Sequence, residues 1–206
     1  MSLNSDYMKI IKMDPKYPDE ESIHEAIDVL ISGGVILYPT DTVYGLGANV
    51  FNEGALKKVY EIKNRDFNKP LSVSVSSLND LLLIAEIRIE HRDLVIDKLP
   101  GPFTFVLYKT PVIPNNFISN NKKIGVRIPK CKITTELSQI FPITSTSANL
   151  SSKETLETPK KIAKQLNGDV DLAIDIGPLT SKQASTVVDL TRRDYKILRQ
   201  GAGSIE

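Results

Sequence analysis

The chain has 206 residues, enough to bury one substantial core, and its 26 Lys and Arg against 25 Asp and Glu leave a formal net charge of +1. That balance excludes attachment to nucleic acid mainly through a broad basic surface, though it leaves room for a local basic cleft. The lone Cys131 excludes an internal disulfide framework, and there is neither a long apolar run nor a basic-then-apolar leader. A reducing, cytoplasmic setting without membrane attachment is expected.

In chain order, residues 8–11 read as a first strand. The stretch 20–32 places Ile23, Ala26, Ile27, Leu30 and Ile31 on one helical face and stops at Gly33-Gly34. A strand over 35–38 then runs into Pro39-Thr40-Asp41-Thr42-Val43-Tyr44-Gly45-Leu46-Gly47. Glycines and hydroxyls at a strand end suit close backbone approach to a ligand, with side-chain oxygens facing it. Residues 53–63 form a second helix, ending on Lys63-Asn64-Arg65. Alternation predicts a strand over 71–75, and helices follow at 79–85 and 91–99 before Pro100-Gly101-Pro102.

The second half is richer in strands, at 104–108, 124–128, 143–146, 172–176, 185–190 and 195–198. Helices are expected at 132–140 and 159–166, the latter with Thr158 as N-cap and Pro159 as first helical residue. No repeat or linker divides the chain, so residues 1–206 are expected to form one α/β domain with a twisted mixed sheet and flanking helices. Residues 1–3 read as a cloning remnant.

Several polar groups sit at strand ends. Arg127 interrupts an apolar run, where alternation sets it with Gly125 opposite Ile124, Val126 and Ile128. It suits two-pronged capture of a carboxylate or phosphate, or a pairing with a neighbouring acid, and periodicity leaves both open. Ser145-Thr146-Ser147-Ala148-Asn149 offers donors for phosphate or sugar oxygens, or is an ordinary polar turn. Ser185-Thr186 and Arg199 repeat the pattern, and Lys69 is either a ligand group or a solvated lysine. Together these residues would suit a shared cleft for an anionic nucleotide. Neither a P-loop nor a G-x-G-x-x-G fingerprint is present. His24 and His91 fall in helical stretches expected to be exposed, outside any metal-ligand pattern, so no protein-held metal site is expected.

Seven segments resemble the YrdC/TsaC family in the family's order: 39–47, 63–65 with 69–71, 100–107, 126–129, 145–149, 185–189 and 198–201. Members similar to this chain are L-threonylcarbamoyladenylate synthases, which turn L-threonine, bicarbonate or CO2, and ATP into threonylcarbamoyl-AMP and pyrophosphate. A transferase machinery downstream then modifies tRNA to threonylcarbamoyladenosine. The resemblance implies a YrdC-like fold around a concave, positively lined cavity. It implies a nucleotidyltransferase in which Lys63 and Arg65 are catalytic. Lys63, Arg65, Lys69, Ser147, Asn149 and Arg199 would bind ATP, while Thr40, Thr42, Arg127, Ser145 and Ser185 would bind threonine. Mg2+ would be held mainly by the ATP phosphates, and contact with tRNA would be weak at most.

Three features depart from the family pattern. Ser74 stands where longer members carry histidine, Lys123 where they carry a small hydroxyl, and the chain resembles the short form without an extra C-terminal domain. Two other readings of the same fold are a double-stranded RNA or tRNA-binding module and a YciO-like sister branch without established activity. The near-zero net charge weighs against the first, and the intact Lys63-Asn64-Arg65 and 145–149 motifs weigh against the second.

Overall fold

Twelve short strands and six α-helices are resolved in a computed structural model that describes residues 8–114, 122–166, 170–179, 181 and 183–205. Strands β1 (Lys9–Lys12), β10 (Leu172–Asp175), β2 (Ile36–Tyr38), β3 (Gly45–Gly47) and β9 (Thr146–Ser147) form a five-stranded sheet in that order. A second sheet runs β12 (Lys196–Arg199), β11 (Thr186–Asp189), β6 (Phe103–Lys109), β7 (Lys123–Arg127), β4 (Ser72–Ser74) and β8 (Ile143–Thr144), with β5 (Ala85–Glu86) joined to β6. Both sheets mix parallel and antiparallel pairs. The mixed α/β architecture is as expected, but it is divided between two sheets instead of one.

The helices begin where local chemistry satisfies their first free N–H groups. Asp19 accepts from Ser22 N at 2.9 Å to open α1 (Glu20–Ile31), and Glu20 and Glu21 favour its positive end. Asn52 accepts from Ala55 N at 2.9 Å to open α2 (Glu53–Lys63). Asn64 closes α2 in the left-handed region, at φ 47°. The remaining helices are α3 (Leu78–Ile84), α4 (Arg92–Lys98), α5 (Lys132–Leu137) and α6 (Pro159–Gln165). No helix among the described residues is long and apolar enough to cross a membrane.

The apolar stripe of α1 packs with α5 on one face of the five-stranded sheet, around Ile36, Tyr38, Leu172 and Ile174. The other face, through Leu37 and Ala173, joins the large cluster containing α2 and the inner residues of the second sheet. In that second sheet, register places Phe105, Val126, Val73 and Val188 on the buried face. Its opposite face carries Val187 and Asp189 from β11, Thr104 and Val106 from β6, Lys123, Gly125 and Arg127 from β7, and Ser72 and Ser74 from β4. Period-two alternation thus makes one face core and the other a polar floor.

Two expectations are corrected here. The single strand at 143–146 is two strands, because β8 pairs with β4 in one sheet and β9 with β3 in the other. Ser145 is the crossing point, and its N–H donates to Ser72 O at 2.6 Å. His91 is not exposed; it is buried, with Nε2 2.8 Å from Arg192 O, where the start of α4 meets the loop after β11.

Candidate active site

Where the two sheets meet, a cavity of about 610 Å³ opens over the polar floor. Parallel pairing of β4 with β7 sets Ser72 beside Gly125 and Ser74 beside Arg127. The left-handed turn at Asn64 reverses the chain after α2, so that Lys63 and Arg65 both reach the cavity. Lys69, Arg127, Ser145, Ser147, Asn149, Ser185 and Arg199 also line it. Nine of the eleven residues expected at a ligand, drawn from separated segments, therefore come together.

Thr40 and Thr42 do not line the cavity; both are buried beneath it. The Thr40 hydroxyl donates to Val43 O at 2.7 Å and accepts from Thr42 N at 3.1 Å. Thr42 Oγ1 accepts from Arg127 Nη2 at 3.3 Å. The two threonines thus build the turn that seats Arg127. Gly45 and Gly47 also serve packing and not ligand approach, since a Cβ on either would lie 3.0 Å from the Tyr38 ring.

Arg127 is held by Asp41, whose Oδ1 accepts from Nη2 at 2.5 Å while Oδ2 accepts from Lys130 N at 3.0 Å. Both readings of Arg127 therefore hold: it faces the cavity and it pairs with an acid. Its buried Nε–H, like the hydroxyl of the neighbouring Ser74, has no hydrogen-bond partner among the described residues. Buried polar groups are nearly always paired, so this corner suits a polar group that the described residues do not supply.

Lys63 is 2 % exposed, and its ammonium donates to the carbonyls of Ser147 and Asn149. Two of its three hydrogens are so used, leaving one for the cavity. Burial, and then the Arg65 charge, lower its pKa to about 7. Arg65 donates to Lys69 O at 3.1 Å and Pro70 O at 2.9 Å. Arg199 donates to Ser185 O at 2.8 Å. Burial, followed by the Arg127 and Arg65 charges, holds Arg199 below the ordinary arginine range. Lys63, Arg65, Lys69, Arg127 and Arg199 are cationic, while Asp66 is the one acidic residue among the described residues of the lining. With Arg127 paired to Asp41 and Asp66 in the lining, a positive excess from Lys63, Arg65, Lys69 and Arg199 remains over the described acids.

Ser147 donates to Asn149 Oδ1 at 2.5 Å, and the Asn149 amide spends its hydrogens on Leu150 O and Lys153 O. Asn149 therefore shapes the 147–153 loop, and its direct reach to a ligand is limited. Sequence reasoning missed Asp41, Ser72 and Thr104; the Thr104 hydroxyl lies 2.7 Å from Ser185 Oγ. Alternation along 104–108 would have set Thr104 on the polar face, but only the fold pairs Asp41 with Arg127.

Gly201 lies against the 184–185 backbone, where a Cβ would come within 2.2 Å of Ala184 O. Gly201→Ala is expected to lower stability by about 1–3 kcal/mol, because backbone cannot yield as a side-chain tip does. A urea midpoint unchanged from wild type would contradict this. Gly125→Ala is expected to fold almost normally, since its Cβ would meet the small Ser72 hydroxyl at 2.7 Å. A urea midpoint close to that of wild type would check this.

The family model described as "Telomere recombination", for Sua5, YciO and YrdC proteins, matches residues 28–201. A Methanocaldococcus jannaschii protein, provisionally named threonylcarbamoyl-AMP synthase, is 37 % identical over 210 residues, covering 100 % of this chain and 98 % of the relative. The crystal structure of Pyrococcus abyssi Sua5 complexed with L-threonine superposes with a TM-score of 0.87 at 34 % identity, over 93 % of this chain. This chain spans only 57 % of that longer protein. Escherichia coli YciO superposes with a TM-score of 0.90 at 28 % identity, covering 97 % of this chain and 98 % of YciO.

Proposed function

Because the chain belongs to the Sua5/YciO/YrdC family, we propose that it is an L-threonylcarbamoyladenylate synthase, a nucleotidyltransferase that joins threonine, CO2 or bicarbonate, and ATP. The observation that carries this reading is a cavity whose cationic residues outnumber the two nearby acids Asp41 and Asp66, with an Arg127 Nε–H and a Ser74 hydroxyl that find no partner among the described residues. A triphosphate matches the positive excess, and an amino-acid carboxylate matches the corner.

The threonine amine attacks CO2 to give a carbamate and releases a proton. A carbamate oxygen then attacks the α-phosphorus, forming the P–O bond as pyrophosphate leaves. Arg127 orients the threonine carboxylate, with Thr40, Thr42 and Asp41 seating the guanidinium. Ser145 and Ser185, which line the same cavity as Arg127, would contact the threonine. Lys63, Arg65, Lys69 and Arg199 offset charge growing on pyrophosphate, with Ser147 and the 147–149 turn aligning the phosphates. The cavity lining offers cations and hydroxyls, and no cluster of three or more His, Cys, Asp or Glu suited to a metal occurs among the described residues. Mg2+ would enter with the substrate as MgATP, held by phosphate oxygens.

The product would feed a threonylcarbamoyl transfer to tRNA, in the cytoplasm. Incubation with ATP, threonine and bicarbonate should yield threonylcarbamoyl-AMP by mass spectrometry, together with pyrophosphate. Serine should be accepted more weakly, since a methyl pocket gives about 1–3 kcal/mol of discrimination. Equal kcat/KM for serine and threonine would remove the amino-acid site. The near-complete mutual coverage with YciO favours a second reading, a sister branch of different activity; absence of the adenylate under these conditions would select it.

A further inference from the structure

Two hydroxyls meet on the polar floor between Arg127 and Arg199. Phe105 pairs with Val126, so the antiparallel register sets the preceding Thr104 beside Arg127. On its other side Thr104 pairs with Val187 in parallel, and Ser185, two residues before Val187, shares that face. Ser185 also carries Arg199, whose Nη2 donates to its carbonyl at 2.8 Å and lies 3.4 Å from its Oγ. Thr104 and Ser185 both line the cavity, yet they are only 2 % and 3 % exposed, so water is a poor substitute for either hydroxyl's partner.

A hydroxyl has one hydrogen to donate and two lone pairs to offer. The Thr104 and Ser185 oxygens lie 2.7 Å apart, and Ser185 is the partner of the Thr104 hydroxyl among the described residues. An arginine can only donate, so Arg199 Nη2 approaches a lone pair of Ser185 Oγ. Were Ser185 to donate to Thr104, its hydrogen would be spent and the cavity would meet a lone pair, which repels a carboxylate. With Thr104 as the donor, both lone pairs of Ser185 are engaged and its hydrogen is left for the cavity. The Thr104 side chain is turned for this. Its methyl faces β7, 3.3 Å from where a Cβ on Gly125 would stand, and its hydroxyl faces the β11 side.

We propose that Thr104 is a positioning residue that makes the Ser185 hydroxyl an obligate donor to the amino-acid substrate. The Thr104 O–H donates to Ser185 Oγ, and the Ser185 O–H donates in turn to a carboxylate oxygen of threonine beside Arg127. Aligned hydroxyls polarise one another, so the terminal bond is stronger than a lone serine would make. The role rests on the synthase reading for the identity of the ligand, while the hydroxyl pair stands on geometry alone.

The test is calorimetric titration with L-threonine alone and with ATP alone, on variants whose folding is read by urea midpoints. Thr104→Val keeps the shape and removes the hydroxyl, and it should weaken threonine binding roughly tenfold, as the loss of a hydrogen bond to a charged group does. Thr104→Ala should repeat that loss without a β-branched side chain. Thr104→Ser restores the donor and should return threonine affinity to within about threefold of wild type. ATP affinity should stay within about twofold throughout, a split that general damage to the cavity would not produce. Because Thr104 acts through Ser185, the Thr104→Val/Ser185→Ala double variant should bind threonine no more weakly than Ser185→Ala. Losses that multiply in the double variant, or a Thr104→Ser variant as weak as Thr104→Val, would overturn the assignment. A chain that makes no threonylcarbamoyl-AMP yet shows this coupling would sink the synthase reading alone. A working synthase whose Thr104→Val and Thr104→Ala variants bind threonine as wild type does would sink the positioning role alone, and a wild type that does not bind threonine would sink both.

Discussion

Lys63→Ala is expected to lower kcat for adenylate formation by roughly 10²–10³, the usual loss when one fixed electrostatic donor is removed from a transition state. Arg65→Ala should fall in the same range, since its charge faces the same cavity. The two differ in how they respond to pH. With a pKa near 7, the Lys63 amine is half neutral in the free protein at neutrality. A bound triphosphate favours the ammonium, so binding takes up a proton above pH 7. ATP affinity should fall with rising pH, by up to about tenfold per unit while the complex stays protonated. Lys63→Met should flatten that slope and Arg65→Ala should not. Titrations in buffers of different ionisation enthalpy count the proton directly, and a wild-type count of zero at pH 8 would refute the assignment.

The same shift has a stability consequence. The unfolded chain keeps the Lys63 proton up to about pH 10.5, whereas the folded chain releases it near 7. Between those values the unfolded state binds more protons, so this residue makes stability rise with pH across that window. Below pH 7 the cost of burying its charge is complete. Lys63→Met should therefore match or exceed wild-type stability at pH 6, which urea unfolding can check.

Arg127→Ala should lose threonine binding and also about 3–5 kcal/mol of stability, because it leaves Asp41 buried without its cation. The Arg127 and Asp41 side chains are 6 % and 11 % exposed, so water cannot replace the missing partner. Asp41→Asn on the Arg127→Ala background should recover much of the stability but none of the threonine affinity. Asp41→Asn alone should raise KM for threonine, since the amide keeps one acceptor oxygen for the two donors Arg127 Nη2 and Lys130 N and loses the charge that orients the guanidinium. The pair would be wrongly assigned if Arg127→Ala unfolded at the wild-type urea concentration, or if the double variant bound threonine normally.

Much of this molecule was legible in local pattern. The stripe through Ile23, Ala26, Ile27 and Leu30 and the end of α2 at Lys63 could be read because caps and helical periodicity act over a few residues. Alternation correctly set Arg127 with Gly125 and away from Val126. His91 was misplaced because its burial comes from the loop at Arg192, about a hundred positions away in the chain. The 143–146 strand was misread because the local pattern of Ile143-Thr144-Ser145-Thr146 carries no sign of which sheet each half joins. Gly45 and Gly47 could be recognised as demanding space, but only the antiparallel register with Tyr38 says for what.

The sequence by itself determined the elements and the supply of cations and hydroxyls at strand ends, since these follow from residue type and short-range periodicity. Only the tertiary structure decided that Arg65, Arg127 and Arg199 share one field, that Thr40 and Thr42 support an arginine from below, and that Lys123 meets Asp189. The physical reason is distance along the chain. Sheet register and charge–charge repulsion are sums over segments far apart in sequence, and they have no value until the strands are paired.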